Sequence, residues 1–454
     1  MKKQFVDDQG FAAAARVVAA GGRVPKKFAK ARPASAGPTL GVATAKAKIT
    51  PARRVAFEIL TLVGQGKGHS DDLLQGFRME ELSDADKHLA TALVMGVLRW
   101  QIALDAQVHR FLERPGQKLA EEIALVLRLG ALQLLHMDRI PAHAALSESV
   151  EMCRAAGQPH AAGMVNAILR KVSAAPDPKQ PIFETTAAFA ERLGHPLWLV
   201  ERWVAAYGRE AAIMICEAGQ QEPGAGGLFL AADALPPIDD GSRLVAEIAA
   251  AALSEATGRP PRIWDCCAAP GGKTLVLAAR ATGADLLATD VSAKRLAQMQ
   301  ARLRRFRFAS EVRIEVADAA QLPEAAGKFD LILCDVPCSG TGTLGRNPEI
   351  RVRLKPEELA RQANRQREIL AAALKRLAPG GRLVYSTCSL EPEENEQVVA
   401  AVALGFGRVS VADLIGRVAG FVGDAAGMVR DGALRTLPGV DPCDGFYAVV
   451  LERS

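Results

Sequence analysis

The stretch Ile263-Trp264-Asp265-Cys266-Cys267-Ala268-Ala269-Pro270-Gly271-Gly272-Lys273-Thr274 is a short apolar run that breaks into a turn of small residues and then enters a helical pattern. Small side chains at such a turn let backbone approach a ligand at a helix N-terminus. Two nucleotide-binding loops compete for this string. Gly272-Lys273-Thr274 completes the ending of an ATP-binding P-loop, but the opening glycine of that motif would stand at 267, where the chain has Cys. The dinucleotide fingerprint needs spaced glycines, and here Gly271 and Gly272 are adjacent. A Rossmann-like sheet that takes another nucleoside cofactor remains.

On either side of this stretch, short apolar runs at 262–266, 285–290, 312–318, 329–335, 381–389 and 445–452 alternate with helical patterns at 273–282, 293–306 and 356–377. That alternation is the signature of a doubly wound parallel sheet, an α/β fold. Pro379-Gly380-Gly381 reads as the stop of the last helix and a turn into the next strand. Acidic residues finish three strands: Asp290, Asp318 and Asp335. Ligands of open α/β sheets bind outside the carboxyl ends of the strands, so these carboxylates should face one crevice, with Asp290 placed to accept from ribose hydroxyls.

Two further strings carry thiols at strand ends, Asp-Val-Pro-Cys-Ser-Gly-Thr-Gly (335–342) and Tyr-Ser-Thr-Cys-Ser (385–389). A thiolate is the best nucleophile a side chain offers near neutral pH, so Cys338 and Cys388 beside a cofactor loop point to covalent catalysis. Cys153, Cys216, Cys266 and Cys334 lie inside helical or apolar stretches and read as core. No Cys-x-x-Cys pair exists, which argues against a thiolate metal site. Residues 196–454 contain no His, which disfavours Ser-His-Asp hydrolysis and His-bound zinc there and leaves a carboxylate, a thiolate or water as any base.

Upstream, apolar residues recur at helical spacing from Thr50 to about Val172: Val55, Ile59 and Leu62, then Leu89, Leu93, Val94 and Val97, then Ile123, Val126, Leu127 and Leu134. Thr50 before Pro51 reads as a helix cap, and Ser83 with Asp86 as a capping pair. This predicts an all-helical domain at 50–173, a linker and connecting region at 174–240 with a second helical stretch around 198–216, and a catalytic domain at 241–454. Residues 1–49 read as a disordered basic arm. The first fifty residues hold ten Lys or Arg against two acids, while the whole chain nets only +5, so the remainder is acidic. Such an arm fits a solvating tail or a polyphosphate partner. No uncharged 18-residue apolar run and no clean signal peptide are present, and eight Cys without scaffold density fit a reducing compartment, so a soluble cytoplasmic protein with no membrane partner is expected.

Asp265 to Thr274, Asp335 to Gly342 and Ser386 to Glu396 resemble the three signature blocks of the NOL1/NOP2/Sun RNA cytosine-C5 methyltransferases. The helical region resembles the NusB-like RNA-binding domain that the RsmB/Sun branch of the family carries ahead of its catalytic domain. The resemblance implies S-adenosylmethionine as cofactor, held by Cys267, Ala268, Ala269, Pro270, Gly271, Gly272, Lys273, Asp290, Asp318 and Asp335, with Asp335 also near the target base. It puts Cys388 in the place of the nucleophile and Cys338 in that of the second thiol, which helps resolve the adduct. It implies a cytosine of RNA as target, 16S small-subunit ribosomal RNA by the closest branch; the sequence leaves the oligomeric state open, with a monomer the expectation. Glu217 to Asp240 spans only 24 residues, where family members usually have a small α/β RNA-binding subdomain, so that subdomain is expected to be shortened or absent. Arginine clusters at Arg302, Arg304, Arg305 and Arg307 and at Arg346, Arg351 and Arg353 are candidate phosphate contacts, the second set beside a flipped base. The rival readings are a non-catalytic NusB-like factor, and a methyltransferase acting on DNA, a small molecule, tRNA or another RNA.

Overall fold

A computed structural model describes residues 49–453 except 115, 176–183, 223, 225, 231–237, 254–257, 307 and 309 and the side chain of Phe77. The expected basic arm, the proline-rich part of the linker, Arg307 and part of the connecting region lie outside the described residues.

Helices Pro51–Gly64, Asp84–His109, Glu121–His136, Ala142–Ala155 and Ala162–Ala174 form the first part. Their apolar stripes, such as Ile59 and Val63, Leu93 and Val97, Leu127 and Ile168, meet in one core. Ser83 caps its helix as expected, accepting from the Asp86 amide at 3.2 Å and donating to its carboxylate at 2.8 Å. Thr50 does not. It holds the N-cap position ahead of Pro51, yet its hydroxyl and amide donate to Glu148 at 2.9 and 2.8 Å, tying the first helix to the fourth. Asp84–His109 is long and apolar enough to cross a membrane by length and composition, but Leu93, Val94 and Val97 are spent on the helical core and Asp105 is bonded by Arg128 at 2.6 Å. The second helical stretch is two helices, Leu197–Tyr207 and Arg209–Gly219, because Gly208 between them adopts φ +85°.

The sheet runs through β1 (Arg262–Asp265), β2 (Asp285–Asp290), β3 (Glu311–Val316), β4 (Phe329–Asp335), β5 (Leu377–Thr387), β6 (Gly407–Val409), β7 (Val429–Arg430), β8 (Ala433–Arg435) and β9 (Tyr447–Glu452). The spatial order is β3-β2-β1-β4-β5-β9-β8-β7, with β6 also on β9; β1 to β5 are parallel and β9 antiparallel to β5. Alternate residues feed two cores: Ile263, Leu286, Leu331, Leu333 and Val384 pack on one face, and Trp264, Leu287, Ile332, Cys334 and Tyr385 on the other. Both faces being covered is what turns these strands into near-continuous apolar runs.

Three expectations shift. β3 ends at Val316, so Asp318 caps the single turn Ala319–Gln321, its carboxylate accepting from the Ala320 amide at 3.0 Å. Pro379-Gly380-Gly381 is not a turn before a strand but a bulge within β5: Phe329 pairs with Leu377 and Leu331 already with Arg382. Gly380 takes φ +70° and its amide donates to Arg453 at 2.8 Å, so the bulge stays hydrogen-bonded. Strands β6 to β8, two or three residues each, carry no periodic signal and were not expected. The chain returns to the middle of the sheet between β1 and β4, and the crevice at this switch point is where the site lies.

Candidate active site

β4 and β5 are parallel neighbours in register, Asp335 opposite Ser386, so the loops that leave them run side by side. That register brings the two thiols together: Cys338 Sγ lies 3.4 Å from Cys388 Sγ. The Cys388 carbonyl accepts from the Gly342 amide at 2.9 Å, and the Gly342 carbonyl from the Gly445 amide at 2.8 Å. A Cβ on Gly342 would stand 2.2 Å from the Gly445 carbonyl oxygen, which explains the glycine in this loop.

Beneath the thiols lies a buried polar network that sequence reasoning did not single out. Glu394 accepts from the Ser339 amide at 2.9 Å, from the Gln366 side chain at 3.0 Å and from the hydroxyls of Ser339 and Ser389. The two serines, each next to one of the cysteines, are 3.0 Å apart. Asn395 accepts from Thr387 and donates to the Ser389 carbonyl at 2.9 Å. Arg202 and Trp203, from the helix Leu197–Tyr207, donate to Glu391 at 2.7 and 3.0 Å and brace the same segment. These residues fall within or against the string Ser386 to Glu396, but an acidic run reads as solvated surface until the fold buries it.

Asp335 accepts from Ser386 at 2.7 Å and pairs with Lys273 at 2.8 Å. Burial opposes the charge on Lys273, but Asp335 and then Cys388 outweigh it and raise the ammonium's pKa. The Cys338 thiol is pushed well up, first by its hydrogen bond with Cys388 and then by burial, so Cys338 carries its proton while Cys388 stands beside a cation. Asp265, at the end of β1, is also raised, to about 7, by burial against the opposing hydrogen bond from Thr274 at 2.7 Å.

A crevice of about 250 Å³ opens between these groups, lined by Cys267, Ala269, Asp290, Asp318, Asp335, Cys338 and Cys388 among others. Among the described residues, the buried Asp290 carboxylate accepts hydrogen bonds only from backbone amides, Ala269 at 3.3 Å and Ser292 at 2.9 Å, with Arg295 3.6 Å away, which leaves acceptor capacity towards the crevice. Asp318 is bonded by Arg365. Of the loop, Cys267 and Ala269 line the crevice, and Ala268, Pro270, Gly271 and Gly272 shape the turn. Gly271 sits at φ +94°, where a Cβ would stand 2.5 Å from Met299. Buried and partly buried carboxylates over a close backbone turn are a donor-poor, acceptor-rich cradle, which suits hydroxyl and ammonium groups of a nucleoside cofactor. Cys153, Cys216, Cys266 and Cys334 are buried as expected.

The second arginine cluster is dispersed. Arg351 is 1% exposed and donates to the carbonyls of Arg99 at 2.6 Å, Gly219 at 2.9 Å and Leu344 at 3.3 Å. Arg346 is taken by Asp444 at 2.6 Å and Asp239 at 2.8 Å. Arg346 stays exposed but is spent on those carboxylates, and among the described residues only Arg353 of the three has a guanidinium not taken by a carbonyl or carboxylate, because a guanidinium on a loop that docks against other segments is claimed by them first.

A family model described as 16S rRNA methyltransferase RsmB/F matches residues 254–452, and a NusB family model matches residues 50–174. Ribosomal RNA small subunit methyltransferase B of Xanthomonas campestris pv. campestris is 32% identical over 81% of this chain and 90% of its own length. The probable ribosomal RNA small subunit methyltransferase B of Bacillus subtilis is 30% identical over 90% of this chain and 100% of its own length.

The chain belongs to the ribosomal RNA small subunit methyltransferase B family.

The crystal structure of PH0851 has the same fold, with a TM-score of 0.66 at 21% identity over 90% of this chain and 100% of that one. The protein is therefore an S-adenosylmethionine-dependent RNA methyltransferase with a NusB-like helical region ahead of its catalytic sheet. Cys267, Ala269, Asp290, Asp318 and Asp335, all expected at the cofactor, line the one carboxylate crevice.

Proposed function

We propose that the enzyme methylates carbon 5 of a cytosine in 16S ribosomal RNA through a covalent adduct with Cys388, acting as a monomer in the cytoplasm, with residues 50–173 as the RNA-binding domain and 241–454 as the catalytic one. The observation that carries this reading is the 3.4 Å contact of two strand-end thiols at the mouth of the cofactor crevice. Carbon 5 of cytosine is a poor nucleophile. Addition of the Cys388 thiolate to carbon 6 makes carbon 5 enamine-like, which splits one difficult step into two. When bound, S-adenosylmethionine supplies an electrophilic methyl group on its sulfonium. Asp335, fixed by Lys273 and Ser386, stands at the same crevice to orient the base.

Once methylated, carbon 5 carries a proton that must leave before the carbon 6–sulfur bond can break and return the electron pair to Cys388. Cys338 is the base this geometry supports. While Cys388 is free, the hydrogen bond between the two sulfurs keeps the Cys338 proton in place. When the Cys388 sulfur is bound to carbon, both contributions of Cys388 to the shift are gone and burial and Glu394 remain, so Cys338 comes nearer to releasing its own proton to solvent and taking the one from carbon 5.

The thiols should fail differently. Cys388→Ala should abolish methylation and form no covalent complex with RNA, whereas Cys338→Ala should accumulate RNA-linked protein that survives a denaturing gel. Exchanged phenotypes would reverse the two roles. Full turnover in both variants would end the covalent reading, and bisulfite sequencing of the product RNA decides the carbon-5 assignment.

A further inference from the structure

A second cavity, of about 560 Å³, also reaches the thiols. Its wall is the Pro-Cys loop with Ser339, Gly340, Thr343 and Asn347, then Ile350, Arg353 and Lys355, and it includes His69 from the NusB-like region. Among the described residues, the linings of this cavity and of the carboxylate crevice have only Cys338 and Cys388 in common. One chamber is acidic and fits the methyl donor. The other presents two exposed cations, Arg353 and Lys355, and an imidazole.

His69 is held there by the catalytic region itself. Glu349 accepts from the Ser70 hydroxyl at 2.8 Å and the Ser70 amide at 3.3 Å, and stands 3.9 Å from the His69 ring. The Arg353 guanidinium lies 3.2 Å from His69 Nδ1. Both carboxylates in this wall are engaged within the protein, Glu349 by Ser70 and Glu358 by Arg361, which leaves the positive groups facing the opening.

We propose that this second cavity seats the extruded target nucleotide, with its base against Cys388 and its phosphodiester on Arg353 and His69, so that the helical region supplies a wall of the acceptor site as well as affinity for RNA. This rests on Cys388 being the nucleophile. The reacting base must touch Cys388 while the donor fills the other chamber, and this cavity meets that demand with cations in the same wall to take a flanking phosphate. Glu349 is then a positioning residue: it touches no substrate and acts by fixing the His69–Ser70 turn.

The test uses the full chain and its ribosomal RNA substrate, with initial rates at varied RNA concentration and varied salt. Arg353→Ala and His69→Ala should each raise the KM for RNA by roughly 10-fold while changing kcat little, as expected for loss of a charge-assisted contact made equally before and during reaction. The salt slope of RNA binding should fall by about one in Arg353→Ala. Glu349→Ala should copy the KM defect of His69→Ala, and the double variant of Glu349 and His69 should be no worse than either single one, a non-additivity that a general loss of stability would not give. S-adenosylmethionine affinity should be unchanged in all of them. Unchanged KM in the His69 and Arg353 variants would overturn the proposal, as would an equal defect in Arg417→Ala, which removes an exposed charge that lines neither cavity. If the parent enzyme instead methylated RNA without a covalent adduct, the assignment of Cys388 would fall while the KM effects here still stood.

Discussion

At the scale of single residues, the site combines groups that the same few ångströms drive in opposite directions. Lys273 is kept charged by Asp335 although it is buried, while Asp265, one strand-end away, is pushed towards neutrality by burial that the Thr274 hydroxyl only partly offsets. Asp265 therefore makes stability depend on pH. Its folded pKa of about 7 exceeds that of an unfolded Asp near 4, so across about pH 4 to 7 the folded chain holds a proton that the unfolded chain has lost. Stability from this group is full below that window and falls as pH rises through it, by about 4 kcal/mol in all as an upper figure. Asp265→Asn keeps the acceptor for Thr274 and removes the titration. The stability difference between variant and parent in urea should be small at pH 4.5 and should favour the variant by 2 pH units above that; a difference that stays flat with pH would mean that Asp265 is charged throughout.

At the scale of elements, what aligns the thiols is the pairing of β4 with β5 and the carboxylate clamped beneath their two loops. Glu394 satisfies two serine hydroxyls, a backbone amide and the Gln366 amide at once, so its removal leaves several buried donors without a partner. Glu394→Ala should lower stability by about 3 kcal/mol in denaturant unfolding and cut kcat at least 10-fold, whereas Glu394→Gln, which keeps an acceptor and the volume, should lose less of both. Equal kcat in Glu394→Ala and parent would show that the loops hold the thiols without it. Much of this element was legible in advance. The strings around Cys338 and Cys388 stood at strand ends and Asp290 and Asp335 closed theirs, because a buried parallel strand leaves a continuous apolar run that stops sharply. Glu394, Asn395 and Gln366 were not legible, since a polar residue looks the same in sequence whether it caps solvent or a buried loop. The bulge at Gly380 was misread for a related reason: Pro-Gly-Gly signals a turn locally, and only pairing with the C-terminal residues turns it into strand.

For the whole molecule, two kinds of electrostatics act at different range. Short-range docking of the NusB-like region on the catalytic loop is made by Arg351, whose buried guanidinium bridges Arg99, Gly219 and Leu344 and whose pKa is lowered by burial and then by Arg99. Reading Arg351 as a phosphate contact failed because nothing in a sequence marks which arginine of a cluster the fold will bury. Arg351→Met, which fills the volume but leaves those carbonyls without a donor, should cost about 2 to 4 kcal/mol in unfolding and lower RNA methylation, while calorimetry should find S-adenosylmethionine binding intact. Long-range attraction has a different source. The first fifty residues carry ten basic and two acidic side chains, whereas the chain as a whole nets +5, so the rest of the protein is net acidic and on balance repels RNA outside its local clusters. Each arm cation that neutralises a phosphate releases a counterion and adds about 0.7 to 0.9 to the salt slope, depending on whether the RNA is single- or double-stranded. Deleting residues 1–48 should therefore weaken RNA binding at low salt and reduce the slope by several units, with the affinities converging near molar salt and S-adenosylmethionine affinity unaltered. A slope identical to that of the full chain would mean that the arm makes no phosphate contact and that the acceptor cavity with its neighbouring surface accounts for the whole grip on RNA.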